Sequence, residues 1–293
     1  MSKLYPKCKN LSSIYMSASG QILPCCDVSL TKWNHTKVEK WNLKNNDIDS
    51  ILTDITQWAD LAEQGKVTLF DNCSSVCGQP TQVYKNSPNT HLELSTRCTL
   101  QCPKCPRTAG LKNGLELIVE DLSLEYAKQI ISKTDNPLIN ICGSLGDPIF
   151  NKNLIEIVKY IEYHNKRFIL STAAPGRSLK WWKEFYNSFN TRAHNIRFGL
   201  DGLEDTAHLY RIGTSFNNIF SAMKLGVELK KNIQWQVIPF KFNEHQIETI
   251  KQICNDTGIE FFMRKSNRWD ENDPLEPVNP NYKFESRKNR GKK

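Results

Sequence analysis

The 293-residue chain has no apolar run long enough to cross a bilayer, and its opening residues, Met1-Ser-Lys-Leu-Tyr-Pro, lack the hydrophobic core of a signal peptide. A cytoplasmic location is expected. None of the six histidines stands at metal-ligand spacing from a partner. The chain is neither small nor evidently exported, so its ten cysteines do not read as a disulfide scaffold. In a reducing compartment, clustered cysteines read better as metal ligands. Composition is ordinary for a globular protein, 39% hydrophobic and 24% charged, and the length suits one barrel-sized domain with an appendage.

The net charge of +8 is unevenly spread. Six basic residues (Lys283, Arg287, Lys288, Arg290, Lys292 and Lys293) face one acid, Glu285, in the last eleven positions. This 269–293 tail is expected to be flexible and solvated. Docking to nucleic acid is the less favoured reading of its charge.

Three cysteines fall within eight residues, Cys98-Thr-Leu-Gln-Cys102-Pro-Lys-Cys105, directly after a strand-like run, His91–Ser95. Thiolates on so tight a loop must converge on one soft metal centre. A structural zinc site wants four protein ligands, and so does an ordinary iron–sulfur cluster. Here the set stops at three, with no further Cys or His before Cys142. That points to a cluster with one iron open to a non-protein ligand.

From His91 onward short apolar runs alternate with amphipathic stretches. Strands are predicted at 91–95, 138–142, 167–172, 195–200, 233–240 and 259–263, with helices at about 120–133, 152–165, 178–189, 216–231 and 243–257. Gly258 is a plausible C-cap for the last helix. Such alternation implies a parallel sheet, and active sites of such folds gather at the C-terminal ends of the strands.

The Cys-x3-Cys-x2-Cys spacing resembles the radical S-adenosylmethionine (SAM) superfamily. The resemblance implies a partial (β/α)6, TIM-like barrel over residues 89–268. It also implies a [4Fe-4S] cluster on Cys98, Cys102 and Cys105, with SAM chelated at the open iron. A zinc knuckle or a set of buried thiols is the alternative. Other strand ends extend the likeness. Cys142-Gly143-Ser144-Leu145-Gly146-Asp147-Pro148 is similar to the family's Gly-Gly-Glu-Pro motif, which receives the methionine amino group of SAM. Asp147 stands where Glu is usual, and a tight turn would explain the same residues. Ser171 is suited to ribose or carboxylate. Asp201, in Leu200-Asp-Gly202, is a candidate contact to SAM or substrate, and Arg211 fits the Arg that often follows, with a surface salt bridge as its plainer role. Val237 and Ile238 are candidates to wall the adenine, with core packing equally able to account for them. Cys142 could return a hydrogen atom to a substrate radical, although a Cys at a strand end is more often a small buried hydrophobe. Lys104 departs from the aromatic residue common before the third cysteine.

Residues 1–88 hold Cys8, Cys25, Cys26, Cys73 and Cys77. Ser17-Ala-Ser-Gly20-Gln has turn chemistry and predicts a hairpin carrying thiols on both sides of it. A helix is predicted from the apolar spacing of Ile48, Ile51, Leu52, Ile55, Trp58, Ala59 and Ala62. The cysteine pattern is similar to SPASM or twitch auxiliary modules, placed here before the barrel rather than after it. That likeness implies a second [4Fe-4S] cluster on Cys8, Cys25, Cys73 and Cys77, with Cys26 as the alternative to Cys25. Four thiolates would equally make a zinc site.

Taken with the resemblance, the expectation is a radical SAM enzyme drawing electrons from a donor such as flavodoxin or ferredoxin. Cleavage of SAM would yield a 5′-deoxyadenosyl radical that abstracts a hydrogen atom from a peptide or small-molecule substrate. A sugar, nucleotide or RNA substrate is the rival within the class. A non-enzymatic zinc protein is the rival outside it.

Overall fold

The computed structural model describes residues 11, 13–24, 39–67, 88–114, 116–190 and 193–284. Cys8, Cys25, Cys26, Cys73 and Cys77, with the auxiliary ligand set they were expected to form, lie outside the described residues, as does the tail from 285.

In chain order the elements are β1 (Ser13–Met16), β2 (Ile22–Leu23), α1 (Ile48–Glu63), β3 (Asn89–Leu92), α2 (Pro106–Lys112), α3 (Leu124–Lys133), β4 (Leu138–Ile141) and α4 (Leu154–Tyr163). There follow β5 (Arg167–Thr172), α5 (Leu179–Asn187), β6 (Asn195–Gly199), α6 (Ala207–Tyr210), α7 (Phe216–Glu228), β7 (Asn232–Val237), α8 (Ile247–Thr257) and β8 (Glu260–Met263). All six predicted strands and all five predicted barrel helices form, giving an α/β fold with a mostly parallel open sheet. The chain divides into two units, 1–97 with 117–170, and 98–116 with 171–293.

In the first unit β1 and β2 make the expected antiparallel hairpin, pairing Tyr15 with Leu23 and Met16 with Ile22. Gly20 turns it at φ 81°, where a Cβ would also stand 2.8 Å from the Tyr126 ring. From β1 the pairing runs parallel to β3, β4 and β5, with Tyr15, His91, Asn140 and Ile169 in one row across the strands. Helix α1 starts where Asp47 accepts from Ser50 N at 2.9 Å, and buries Ile48, Ile51, Leu52, Ile55, Ala59 and Ala62. That is the spacing of one helix face, and truncating a fully enclosed member such as Ile55 to Ala costs about 2–5 kcal/mol.

In the second unit β6, β7 and β8 are parallel, with Trp235 between Phe198 and Phe261. Ser178 caps α5, whose Trp182, Phe185 and Tyr186 pack with Phe189 and Phe198 in a buried aromatic cluster. Helix α8 ends at Gly258, left-handed at φ 73°, as its sequence suggested.

Two strand ends fall three residues short of expectation. The first barrel strand ends at Leu92 rather than residue 95, because the chain beyond it turns to other partners: Leu122 N donates to Leu94 O, and Ser95 bridges Asp121. The β7 strand ends at Val237 rather than 240. Ile238 gives its N–H to a side chain, Asp201 Oδ1, and Pro239 has none to give.

Candidate functional site

Every residue singled out among the described strands falls at a strand's C-terminal end. Cys98 follows β3, Gly143 follows β4, Ser171 lies in the last two residues of β5, Asp201 follows β6 and Ile238 follows β7. This is the end at which ligands bind in parallel α/β sheets.

The cysteine loop belongs to the second unit. Leu100 anchors it, 2% exposed, and Gln101 N donates to Ile212 O at 3.1 Å. Cys105 then becomes the residue before α2, with Pro106 in the first turn, where a missing N–H does no harm. Cys98, Cys102 and Cys105 are all half-buried. Leu100 N donates to Cys98 Sγ at 3.4 Å, a contact that favours a thiolate. Burial pushes the Cys102 thiol up to about 11; Arg211 opposes the shift, while Cys105, Cys98 and Asp201 add to it. Cys102 therefore feels both of the other thiols of the loop.

Among the described residues no group of three His, Cys, Asp or Glu side chains is placed to hold a single metal ion. An iron–sulfur cluster is held by cysteine thiolates, and Cys98, Cys102 and Cys105, half-buried on one anchored loop, are the donors that would hold it.

A buried ion pair lies within electrostatic reach of Cys102. Arg211 Nε stands 2.8 Å from Asp201 Oδ2, and Asp201 is wholly enclosed. Burial pushes the Asp201 carboxyl up, while Arg211 and the Ile238 N–H pull it down. Asp201 Oδ1 accepts from Ile238 N at 2.8 Å, joining two residues that the sequence marked separately. Gly199 makes room for the guanidinium, since a Cβ there would lie 2.6 Å from an Arg211 nitrogen. Arg211 is thus a buried partner rather than the surface salt bridge weighed for it.

Lys104 reaches the chain beyond β8. Its ammonium lies 2.5 Å from both Asp270 and Asp273, and Arg268 donates to the Lys104 carbonyl at 3.3 Å.

The glycine motif belongs to the first unit. Gly146 packs so tightly that a Cβ would stand 2.1 Å from Ser95 O, and Asp147 N donates to Arg97 O at 2.8 Å. The loop 143–147 is therefore fastened onto the residues that lead into Cys98. Asp147 is buried and accepts from Ile149 N at 3.2 Å, capping a short 3₁₀ turn. Cys142 Sγ lies 3.9 Å from His91 Nδ1.

Glu93 and Tyr15 were not anticipated. Glu93 is 2% exposed and accepts from Ser144 N, Leu145 N and the Tyr15 hydroxyl. The signal was an acid between Leu92 and Leu94, both fully enclosed.

No protein-family model matches the chain, and no curated protein does. Among solved structures, SuiB of Streptococcus suis bound to the precursor peptide SuiA gives a TM-score of 0.50 at 14% identity, covering 74% of this chain and 44% of SuiB. Native anSMEcpe with bound AdoMet gives 0.46 at 13% identity, covering 60% of this chain and 52% of its own. Methylornithine synthase (PylB) gives 0.45 at 13%, with the same coverage. These three are radical SAM enzymes. At such identity the likeness to SuiB is one of fold: an α/β architecture with a mostly parallel open sheet matches that of this neighbour. The chain spans about half the length of these solved chains.

Proposed function

We propose that the protein is a radical SAM enzyme. The observation that carries this reading is the fastening of the Gly143–Asp147 loop onto Ser95–Arg97, the residues that open the three-thiol loop. In this reading Cys98, Cys102 and Cys105 hold a [4Fe-4S] cluster. When bound, it supplies the electron that cleaves SAM to a 5′-deoxyadenosyl radical, and a hydrogen atom is then taken from the substrate.

The chain's own part is to bind and orient. Gly143, Gly146, Asp147, Ser171, Asp201 and Ile238 are the proposed SAM contacts. Asp201 also holds Ile238 and Arg211 in place. Arg211 keeps positive charge near Cys102, which favours its thiolate. A second [4Fe-4S] cluster is proposed on Cys8, Cys25 (or Cys26), Cys73 and Cys77 in an auxiliary module, with flavodoxin or ferredoxin as electron donor. A peptide substrate is favoured, with support from the SuiB complex with its precursor peptide.

Anaerobic reconstitution, iron and sulfide analysis, and a deoxyadenosine assay with SAM and dithionite test the reading. About eight irons per chain and deoxyadenosine formation are expected. About four, with turnover lost in Cys102→Ala, would keep the enzyme and remove the second cluster. Neither iron nor deoxyadenosine would overturn the proposal and leave a zinc protein.

A further inference from the structure

Glu93 directly follows β3, at the only described point where a charged side chain interrupts the buried run Leu92 to Leu94. A carboxyl group without partners there would be strongly unfavourable. It has three. One oxygen accepts from Ser144 N at 2.8 Å and from Leu145 N at 2.6 Å, and the other accepts from the Tyr15 hydroxyl. Two consecutive backbone N–H groups are therefore drawn to one buried oxygen.

Peptide planarity gives this a directional consequence. In a trans peptide the C=O points opposite to the N–H of the same unit. With the N–H groups of Ser144 and Leu145 turned to Glu93, the carbonyls of Gly143 and Ser144 are turned away from it. Two acceptors are thus aimed in one direction, which suits an ammonium donor. The glycines permit this close fold: a Cβ on Gly143 would lie 1.7 Å from Gly146 O. At its far end the loop is fixed by Asp147 N on Arg97 O.

Resting on the radical SAM reading, we propose that Glu93, supported by Tyr15, is a positioning residue that aims the Gly143 and Ser144 carbonyls at the amino group of SAM. It touches no substrate atom itself. It sets the direction of backbone groups that do.

The test compares Glu93→Gln with wild type in reconstituted full-length protein. Amide exchange at Ser144 and Leu145, iron content, equilibrium binding of SAM, and KM and kcat for deoxyadenosine formation are measured. The amide of Gln keeps one acceptor oxygen but carries no charge, so its hold on the two N–H groups weakens, and it turns a donor toward the Tyr15 hydroxyl, which must then accept. Faster exchange at both amides, unchanged iron and about tenfold weaker SAM binding with kcat little altered are expected. Unchanged SAM affinity with unchanged exchange would overturn the proposal. So would parallel loss of iron and SAM binding, which marks a merely structural role. If Glu93→Gln does not fold, Tyr15→Phe decides, with a smaller rise in KM expected and no rise overturning the idea. Wild type that forms no deoxyadenosine would instead sink the parent reading, while amide exchange still reports the clamp.

Discussion

Glu93 and Asp201 repeat one device in two places. Each carboxyl group lies just beyond a parallel strand, and each accepts backbone N–H groups from the end of the next strand along: Ser144 and Leu145 for Glu93, Ile238 for Asp201. Their second partners differ. Glu93 has the neutral hydroxyl of Tyr15, whereas Asp201 has the Arg211 guanidinium. Burial pushes both carboxyls up from their ordinary values, but only Asp201 has a cation pulling it back. The lesson concerns what a buried acid requires. Directed donors suffice to enclose one, and a countercharge adds a dependence that directed donors do not.

Removing the countercharge should have the largest effect. Arg211→Met leaves Asp201 enclosed without its countercharge, and should cost about 3–5 kcal/mol in denaturant unfolding. Adding Asp201→Asn should restore part of that loss. Equal stability for the single and double variants would mean that the ion pair does not set the site apart from Glu93.

Next come the glycines beside each carboxyl. Gly146→Ala drives a Cβ against backbone at Ser95 and should cost about 1–3 kcal/mol or more. Gly199→Ala meets only the tip of the Arg211 side chain, so its Tm should fall less. The reverse order would show the 143–147 loop to be the softer of the two.

The smallest effect is in pH. The folded-state pKa of Glu93 is raised, mainly by burial, so the folded protein keeps this proton to higher pH than the unfolded chain does. Its contribution is fully present below the unfolded value of about 4.3 and is lost as pH rises through the higher folded value. Unfolding midpoints of wild type relative to Glu93→Gln should therefore decline across that window. A difference that grows with pH would mean a depressed pKa, with the directed donors outweighing burial at Glu93.

Much of this architecture was legible because it rests on local periodicity. The apolar recurrence of Leu154, Ile155, Ile157, Val158 and Ile161 announces α4, which buries all of them but Ile155. Helix α2 was not foreseen because it buries none of its residues and so carries no apolar stripe. Strand-end positions for Gly143, Ser171, Asp201 and Ile238 followed from the alternation of elements. What stayed hidden were partners far apart in sequence. Tyr15 meets Glu93 across 78 positions, and Lys104 meets Asp270 across 166. Neither pairing leaves a periodic trace. Lys104 stood out only as a departure from an aromatic residue, and its partners become visible only when the chain is folded.

The Lys104 fastening bears on how the protein is made. A chain synthesised from its N-terminus delivers residues 98–105 long before Asp270 and Asp273 exist to hold them. Gln101 likewise waits for Ile212. The thiol loop is therefore among the last pieces to be secured during translation, and its three cysteines spend most of that interval without the lysine's two anchors.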